Sequence, residues 1–228
     1  MKIAVVGANG QLGSDVVEAF TRSGDEVFPL NHSDIDVTSM DSALSRLKKL
    51  HPDVVVNTAA MHHVENCELD PNTAFAVNGL GARNLSVIVK DLGAVLMHVS
   101  TDYVFDGRKQ TPYEECDAPN PLNVYGNTKL SGEHFVSATT DRYFVLRTSA
   151  IYGKNPCRAK GGLNFVQLML KLARERGRVC VVDTEIVTPT STAELPANGR
   201  TEPFGRIWLV SRNSGGQLFL VRLCATDL

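Results

Sequence analysis

The sequence is short of the features that would tie it to nucleic acid, a membrane or a disulfide framework. Its 23 Lys and Arg residues nearly balance 25 Asp and Glu, a formal net charge of −2. The two signs are interspersed, so no basic face offers itself to DNA, RNA or an anionic membrane surface. No apolar run approaches the length of a membrane span, and the N-terminal one, Ile3–Val6, is too short for a secretory signal. Cys67, Cys116, Cys157, Cys180 and Cys224 are scattered, with no C-x-x-C pair. The expectation is therefore a reduced, cytoplasmic protein that handles a small soluble ligand. With 43% hydrophobic residues over 228 positions, the chain can bury a core without disulfides or metals.

What is present begins at the N-terminus. Gly7, Gly10 and Gly13 follow the apolar run Ile3-Ala4-Val5-Val6 and precede Leu12, Val16, Val17 and Phe20, which have helical spacing. A buried strand turning tightly through glycine lets the backbone approach a pyrophosphate, and the next helix offers free N–H groups and a positive dipole end. The strand-turn-helix setting is what gives the glycine triplet its meaning.

Strand-like runs then alternate with helix-like stretches. Ile3–Val6, Glu26–Leu30, Val54–Val56, Ala94–Val99, Tyr143–Leu146 and Val179–Val182 read as strands. Asp15–Arg22, Met40–Leu50, Ala74–Leu92, Val124–Ser137 and Asn164–Arg176 place apolar residues three and four apart. This alternation predicts an α/β fold, a Rossmann-like doubly wound parallel sheet with helices on both faces and right-handed crossovers. Ligands of such sheets bind beyond the carboxyl ends of the strands, so the loops after Val6, Leu30, Val56, Val99 and Leu146 share one functional edge. From Leu195 the pattern deteriorates, and Pro196-Ala197-Asn198-Gly199-Arg200 breaks the helix that Ser191–Leu195 begins.

Tyr125 and Lys129 lie four apart on a helical segment, so their side chains share a face. A neighbouring ammonium favours phenolate and lowers a phenol's pKa toward neutral pH, which suits proton transfer. At the end of the fourth strand, Ser100 and Thr101 carry hydroxyls that can reach a substrate carbonyl oxygen. His62 and His63, with Glu65 and Glu68, read as loop residues and not as a metal site, since adjacent histidines cannot easily face one ion. Lys171, Arg174, Glu175, Arg176 and Arg178 read as a solvated helix face.

The glycine loop, the strand end and the Tyr-Lys pair together resemble the extended short-chain dehydrogenase/reductase family, and within it the dTDP-4-dehydrorhamnose reductase branch. The resemblance is carried by GANGQLG at Gly7–Gly13, Asp34-Ile35-Asp36-Val37, NTAA at Asn57–Ala60, STDYVFDG at Ser100–Gly107, PLNVYGNTK at Pro121–Lys129, LRTS at Leu146–Ser149 and TPTST at Thr188–Thr192. It implies reduction of the 4-keto group of a nucleotide-linked deoxysugar, dTDP-4-dehydrorhamnose to dTDP-rhamnose, in cell-surface polysaccharide biosynthesis. Tyr125 would donate the proton and also contact the cofactor, Lys129 would bind ribose and tune Tyr125, and Thr101 would hold the sugar oxygen. Gly7, Asn9, Gly10, Gln11, Leu12 and Gly13 would form the pyrophosphate loop, Asp36 and Val37 the adenine side, and Ala59 and Ala60 the ribose and nicotinamide side. Ser100, Thr101, Asp102, Tyr103 and Val104 would face the substrate.

The resemblance also divides the chain into an NADP(H)-binding part at 1–150, a partial substrate-binding part at 151–195 and an atypical tail at 196–228. Asp102 is followed by Tyr103 and not by the acid that related dehydratases use to expel water, which favours simple reduction. The second strand ends in Leu30-Asn31-His32-Ser33, with neither the acid expected for NAD nor the Arg expected for NADP. NADPH therefore follows from the resemblance, with NADH as the alternative. Magnesium is used by some members, but no ligands for it can be placed. The oligomeric state stays open, a homodimer among the choices.

There are two departures from the family. Ala150 stands where a bulky aromatic often follows LRTS, and the likeness stops near Leu195. With codons chosen as ATT TGG TTG GTA TCA, a one-base shift turns Ile207-Trp208-Leu209-Val210-Ser211 into Phe-Gly-Trp-Tyr-His, which resembles the family's continuation. The expectation is a frameshift near Leu195-Pro196 and a non-native tail. The readings that compete with an active reductase are an inactive truncated copy, a non-catalytic dinucleotide-binding subunit like the regulatory partner of methionine adenosyltransferase, and a sugar-nucleotide epimerase.

Overall fold

The computed structural model describes residues 1–157, 162–176, 178–181 and 187–195, together with the backbone of 208–212 and 218–222. Strands β1 (Lys2–Val6), β2 (Glu26–Leu30), β3 (Val54–Asn57), β4 (Val95–Thr101) and β5 (Tyr143–Thr148) form one parallel sheet in the order β2-β1-β3-β4-β5. The chain moves outward in one direction from β1 to β2 and in the other from β1 to β3. That reversal opens a crevice at the carboxyl end of β1, where the glycine loop lies.

The period-two alternation of the strands divides the core into two. Ile3, Val5, Val54, Val56 and Val95 pack with Leu12 and Val16 of α1 (Gln11–Arg22). Ala4, Val6, Val55 and Leu96 pack on the other face with Ala43 and Leu47 of α2 (Met40–Leu50), Leu85, Ile88 and Val89 of α5 (Gly81–Leu92) and Val136 of α6 (Val124–Thr139). Residues covered on both sides must be apolar at every position, which is why these strands read as unbroken runs.

The segment read as one helix over 74–92 is continuous but not uniform. After α3 (Val64–Leu69) and α4 (Pro71–Phe75), a π-helical turn at Ala76–Leu80 leads into α5. α3 has no apolar periodicity long enough to be read from sequence. α1 begins at Gln11, earlier than the stretch 15–22 read as helix, and its first turn already sends Leu12 into the core.

Beyond β5, Ile151–Tyr152 (β6) pairs in parallel with Thr190–Ser191 (β7), and α7 spans Phe165–Glu175 behind a capping box at Asn164 and Gln167. The strand expected over 179–182 is not formed at 179–181, which is irregular, with Val181 57% exposed; Val182 lies outside the described residues. Ser191, expected to open a helix, is instead in β7. The proposed frameshift point at Pro196 and most of the tail lie outside the described residues. The backbone of Trp208–Arg212 (β8) pairs antiparallel with Leu218–Arg222 (β9).

Candidate active site

The crevice is built first from glycine. Gly7 has a φ of +81°, and a Cβ there would fall 2.8 Å from Ala59 N. Thr58 clamps the same approach by donating its hydroxyl to Val6 O at 2.8 Å. A Cβ at Gly13 would lie 2.2 Å from Gly7 O, so only glycine lets α1 start against the loop. Gly10 is different: a Cβ there would meet only Gly7 O, at 3.3 Å, so packing alone scarcely demands a glycine. Its bareness leaves an open cradle at the N-terminus of α1. No side chain caps that helix end, and the Gln11 side-chain nitrogen is buried without a hydrogen-bond partner. An uncapped helix start, an open glycine and an orphan amide donor suit the pyrophosphate of a dinucleotide. Leu12 sends its side chain into the core and faces the cradle only through its backbone.

On the adenine side, Asp36 accepts from the Thr38 N–H and hydroxyl at 2.9 and 2.7 Å, which holds its carboxyl below the usual range. The Val37 side chain is buried against Gly81, and its carbonyl accepts from Asn84 Nδ2 at 3.0 Å. Ala59 lies against Gly7 and donates its N–H to Asn57 Oδ1 at 3.1 Å.

β4 and α6 supply the proposed chemical groups. α6 starts at Asn123, whose side chain accepts from Gly126 N at 2.8 Å, while Glu68 of α3 accepts from Val124 N. Gly126 lets the helix approach the 3₁₀ turn Asp102–Val104 closely, since a Cβ there would fall 2.2 Å from Tyr103 O. Tyr125 and Tyr103 meet edge to face at 5.6 Å. Burial pushes the Tyr125 phenol well above its ordinary range, with Thr101 pulling the other way by hydrogen bonding and the Asp102 charge adding to the rise. Lys129 does not offset this as the sequence suggested. Its ammonium group is turned to Val99 O at 2.7 Å, and burial lowers it to about 8. The phenol is thus held protonated, the form a proton donor requires.

The expected substrate residues separate. Thr101 donates to Asp102 at 3.1 Å and accepts from Tyr103 N, and Tyr103 is exposed. Burial raises the Asp102 carboxyl, against the hydroxyls of Ser149 and Thr101. Two others turn inward: Val104 is fully buried, and the Ser100 hydroxyl donates to Glu133. Neither side chain is therefore presented to the cleft.

Sequence reasoning missed the polar frame behind these residues. Glu133, one turn beyond Lys129, takes a two-point ion pair from Arg147. Asn78, in the π-helical turn, ties Met61 N and O to the Thr128 hydroxyl, each at 2.9 Å. The i+4 and i+8 spacing of Glu133 from Lys129 and Tyr125 was the available signal. His62 and His63 have separate partners, Cys157 Sγ at 3.7 Å and Glu65 at 3.0 Å. Among the described residues no three His, Cys, Asp or Glu side chains gather into a metal site, and no helix is long and apolar enough to cross a membrane.

Known proteins resemble this chain in sequence and fold. The chain is 37% identical over 194 residues to the spore coat polysaccharide biosynthesis protein SpsK of Bacillus subtilis, covering 85% of this chain and 66% of that one. It is 39% identical over 192 residues to a dTDP-4-dehydrorhamnose reductase of Streptomyces griseus, covering 84% and 61%. The chain spans just under two thirds of the length of such curated relatives. A crystal structure of dTDP-4-dehydrorhamnose reductase from Bacillus anthracis in complex with NADP superposes with a TM-score of 0.85 at 33% identity, covering 93% of this chain and 75% of that one. The UDP-glucose 4-epimerase of Thermus thermophilus, at 20% identity and a TM-score of 0.79 over 96% and 79% of the two chains, shares the fold. Residues 1–199 match the family described as the RmlD substrate binding domain, and the chain belongs to that family.

Proposed function

We propose that this chain carries the cofactor site and the catalytic groups of an NADPH-dependent reductase that converts dTDP-4-dehydrorhamnose to dTDP-rhamnose. The observation that carries the reading is the protonated, half-buried Tyr125 phenol beside the Thr101 hydroxyl, at the same sheet edge as the glycine cradle. NADPH, when bound, supplies hydride; the NADP complex of the Bacillus anthracis relative supports this cofactor. The N–H groups of Gln11 and Leu12, with Gln11 Nε2 as a further donor, would hold its pyrophosphate. Tyr125 delivers its proton to the sugar oxygen as charge develops there, and Thr101 donates a hydrogen bond to the same oxygen. Lys129 lies buried one turn further along α6, with its Nζ on Val99 O. Residues 1–150 form the cofactor part and 151–195 the start of the substrate part.

The test is NADPH oxidation with dTDP-4-dehydro-6-deoxy-L-mannose, run beside NADPH binding alone and a Tyr125→Phe control. Turnover that disappears in the control supports the reductase. Binding without turnover favours a non-catalytic dinucleotide-binding protein, and absence of binding overturns the reading of the glycine cradle.

A further inference from the structure

Behind the cleft, three buried polar side chains line up from β3 through β4 to α6. Asn57 and His98 are register partners, with Asn57 Nδ2 3.1 Å from His98 Nδ1. His98 Nε2 in turn lies 3.5 Å from Lys129 Nζ. Asn57, His98 and Lys129 are 3%, 0% and 2% exposed, so water does not mediate freely between them.

The orientation of the Asn57 amide is fixed from outside. Ala59 N–H donates to Asn57 Oδ1 at 3.1 Å, which leaves the NH2 group facing the imidazole. A donor facing Nδ1 requires a lone pair there, and a neutral imidazole then carries its proton on Nε2. Burial does keep this ring neutral, pushing its pKa well below the ordinary histidine value. The Nε2–H is thereby aimed at Lys129. An ammonium has three donors and no acceptor, whereas an amine has a lone pair. Either form can still donate to Val99 O at 2.7 Å.

We propose that Asn57 and His98 act as a positioning pair that presents an N–H to Lys129 and so biases its Nζ toward the neutral amine in the cofactor-free protein. The titratable and charged groups around Lys129 are His98 from β4, Glu133 and Tyr125 from α6, and Arg147 from β5, which is reached through Glu133. Glu133 favours the ammonium, but its carboxylate is already shared with Arg147 and Ser100. Burial, the larger influence, lowers Lys129 to about 8 against the opposing pull of Glu133. The inference does not rest on the proposed reaction, because tautomer and amine charge can be read without cofactor or substrate.

The experiment is NMR on the full chain. Long-range 1H–15N correlation reads the His98 tautomer, and a pH titration of labelled lysine side chains, assigned by the loss of one signal in Lys129→Met, reads the Lys129 midpoint. In the wild-type chain the Nε2–H form is expected to predominate; any other major form overturns the proposal without need of a variant. In Asn57→Asp and Asn57→Ala the imidazole proton is expected to move to Nδ1 and the Lys129 midpoint to rise by about one pH unit or more. Asn57→Ala adds no charge. A rise confined to Asn57→Asp, an unmoved tautomer, or a moved tautomer with an unmoved midpoint each overturns it.

Discussion

Arg147 grips Glu133 through two nitrogens, Nε lying 3.0 and 3.2 Å from the two carboxylate oxygens and Nη2 2.6 Å from Oε2. The other face of the guanidinium covers the Phe105 ring at 5.0 Å, and Phe105 stacks on Tyr113 at 4.2 Å. One pair thus joins α6, β5 and the loop after the 3₁₀ turn, and through Glu133 it fixes Ser100 directly before Thr101.

Arg147→Leu is expected to cost about 3 kcal/mol in denaturant unfolding, because it leaves a buried carboxylate with only a hydroxyl partner. Glu133→Gln keeps an acceptor for Ser100 and should cost less, about 1–2 kcal/mol. Equal losses would show that the charge pair does not bear the load.

Substitution of the glycines should separate fold from ligand. Gly13→Ala drives a Cβ to 2.2 Å from Gly7 O and should lower stability by about 2 kcal/mol or more, read by thermal melting. Gly10→Ala meets only one atom, at 3.3 Å, and should melt near wild type while weakening NADPH binding measured by fluorescence. A Gly10→Ala chain with undiminished binding would remove Gly10 from the cradle.

The pH profile of stability has a defined sign. Lys129 titrates at about 8 in the fold against 10.5 for the free side chain, so the unfolded chain holds the extra proton between those values. Stability should rise with pH across that window, by on the order of 3 kcal/mol from this group. Tyr125 acts oppositely above pH 10, where only the unfolded phenol ionises. His98 withdraws stability as pH falls below 6.5. Lys129→Met should flatten the alkaline rise and raise the melting temperature at pH 7; a lower melting temperature there would contradict the burial cost assigned to the amine.

Tyr125→Phe and Thr101→Val should each lower kcat by about 10²–10⁴ with NADPH affinity unchanged. Thr101→Ser should recover most of the loss. Loss of cofactor affinity instead would make these residues part of the binding site alone.

The sequence by itself determined the parallel sheet, since strands covered on both faces must be apolar throughout and the helices between them show their buried stripe. It also determined the glycine turn, because a positive φ at Gly7 and the contact beneath Gly13 exclude any side chain. It did not reveal α3, which is too short to show a period, or the end of the strand reading at 179–181. Only the tertiary structure decided where Ser100 and Val104 point, since a strand end and a 3₁₀ turn send neighbouring side chains to opposite sides. Only the tertiary structure, too, brought His98, Asn57, Glu133 and Arg147 around Lys129. Their roles depend on distances between residues far apart in the chain, and those distances follow from strand register and helix docking, which no local pattern encodes.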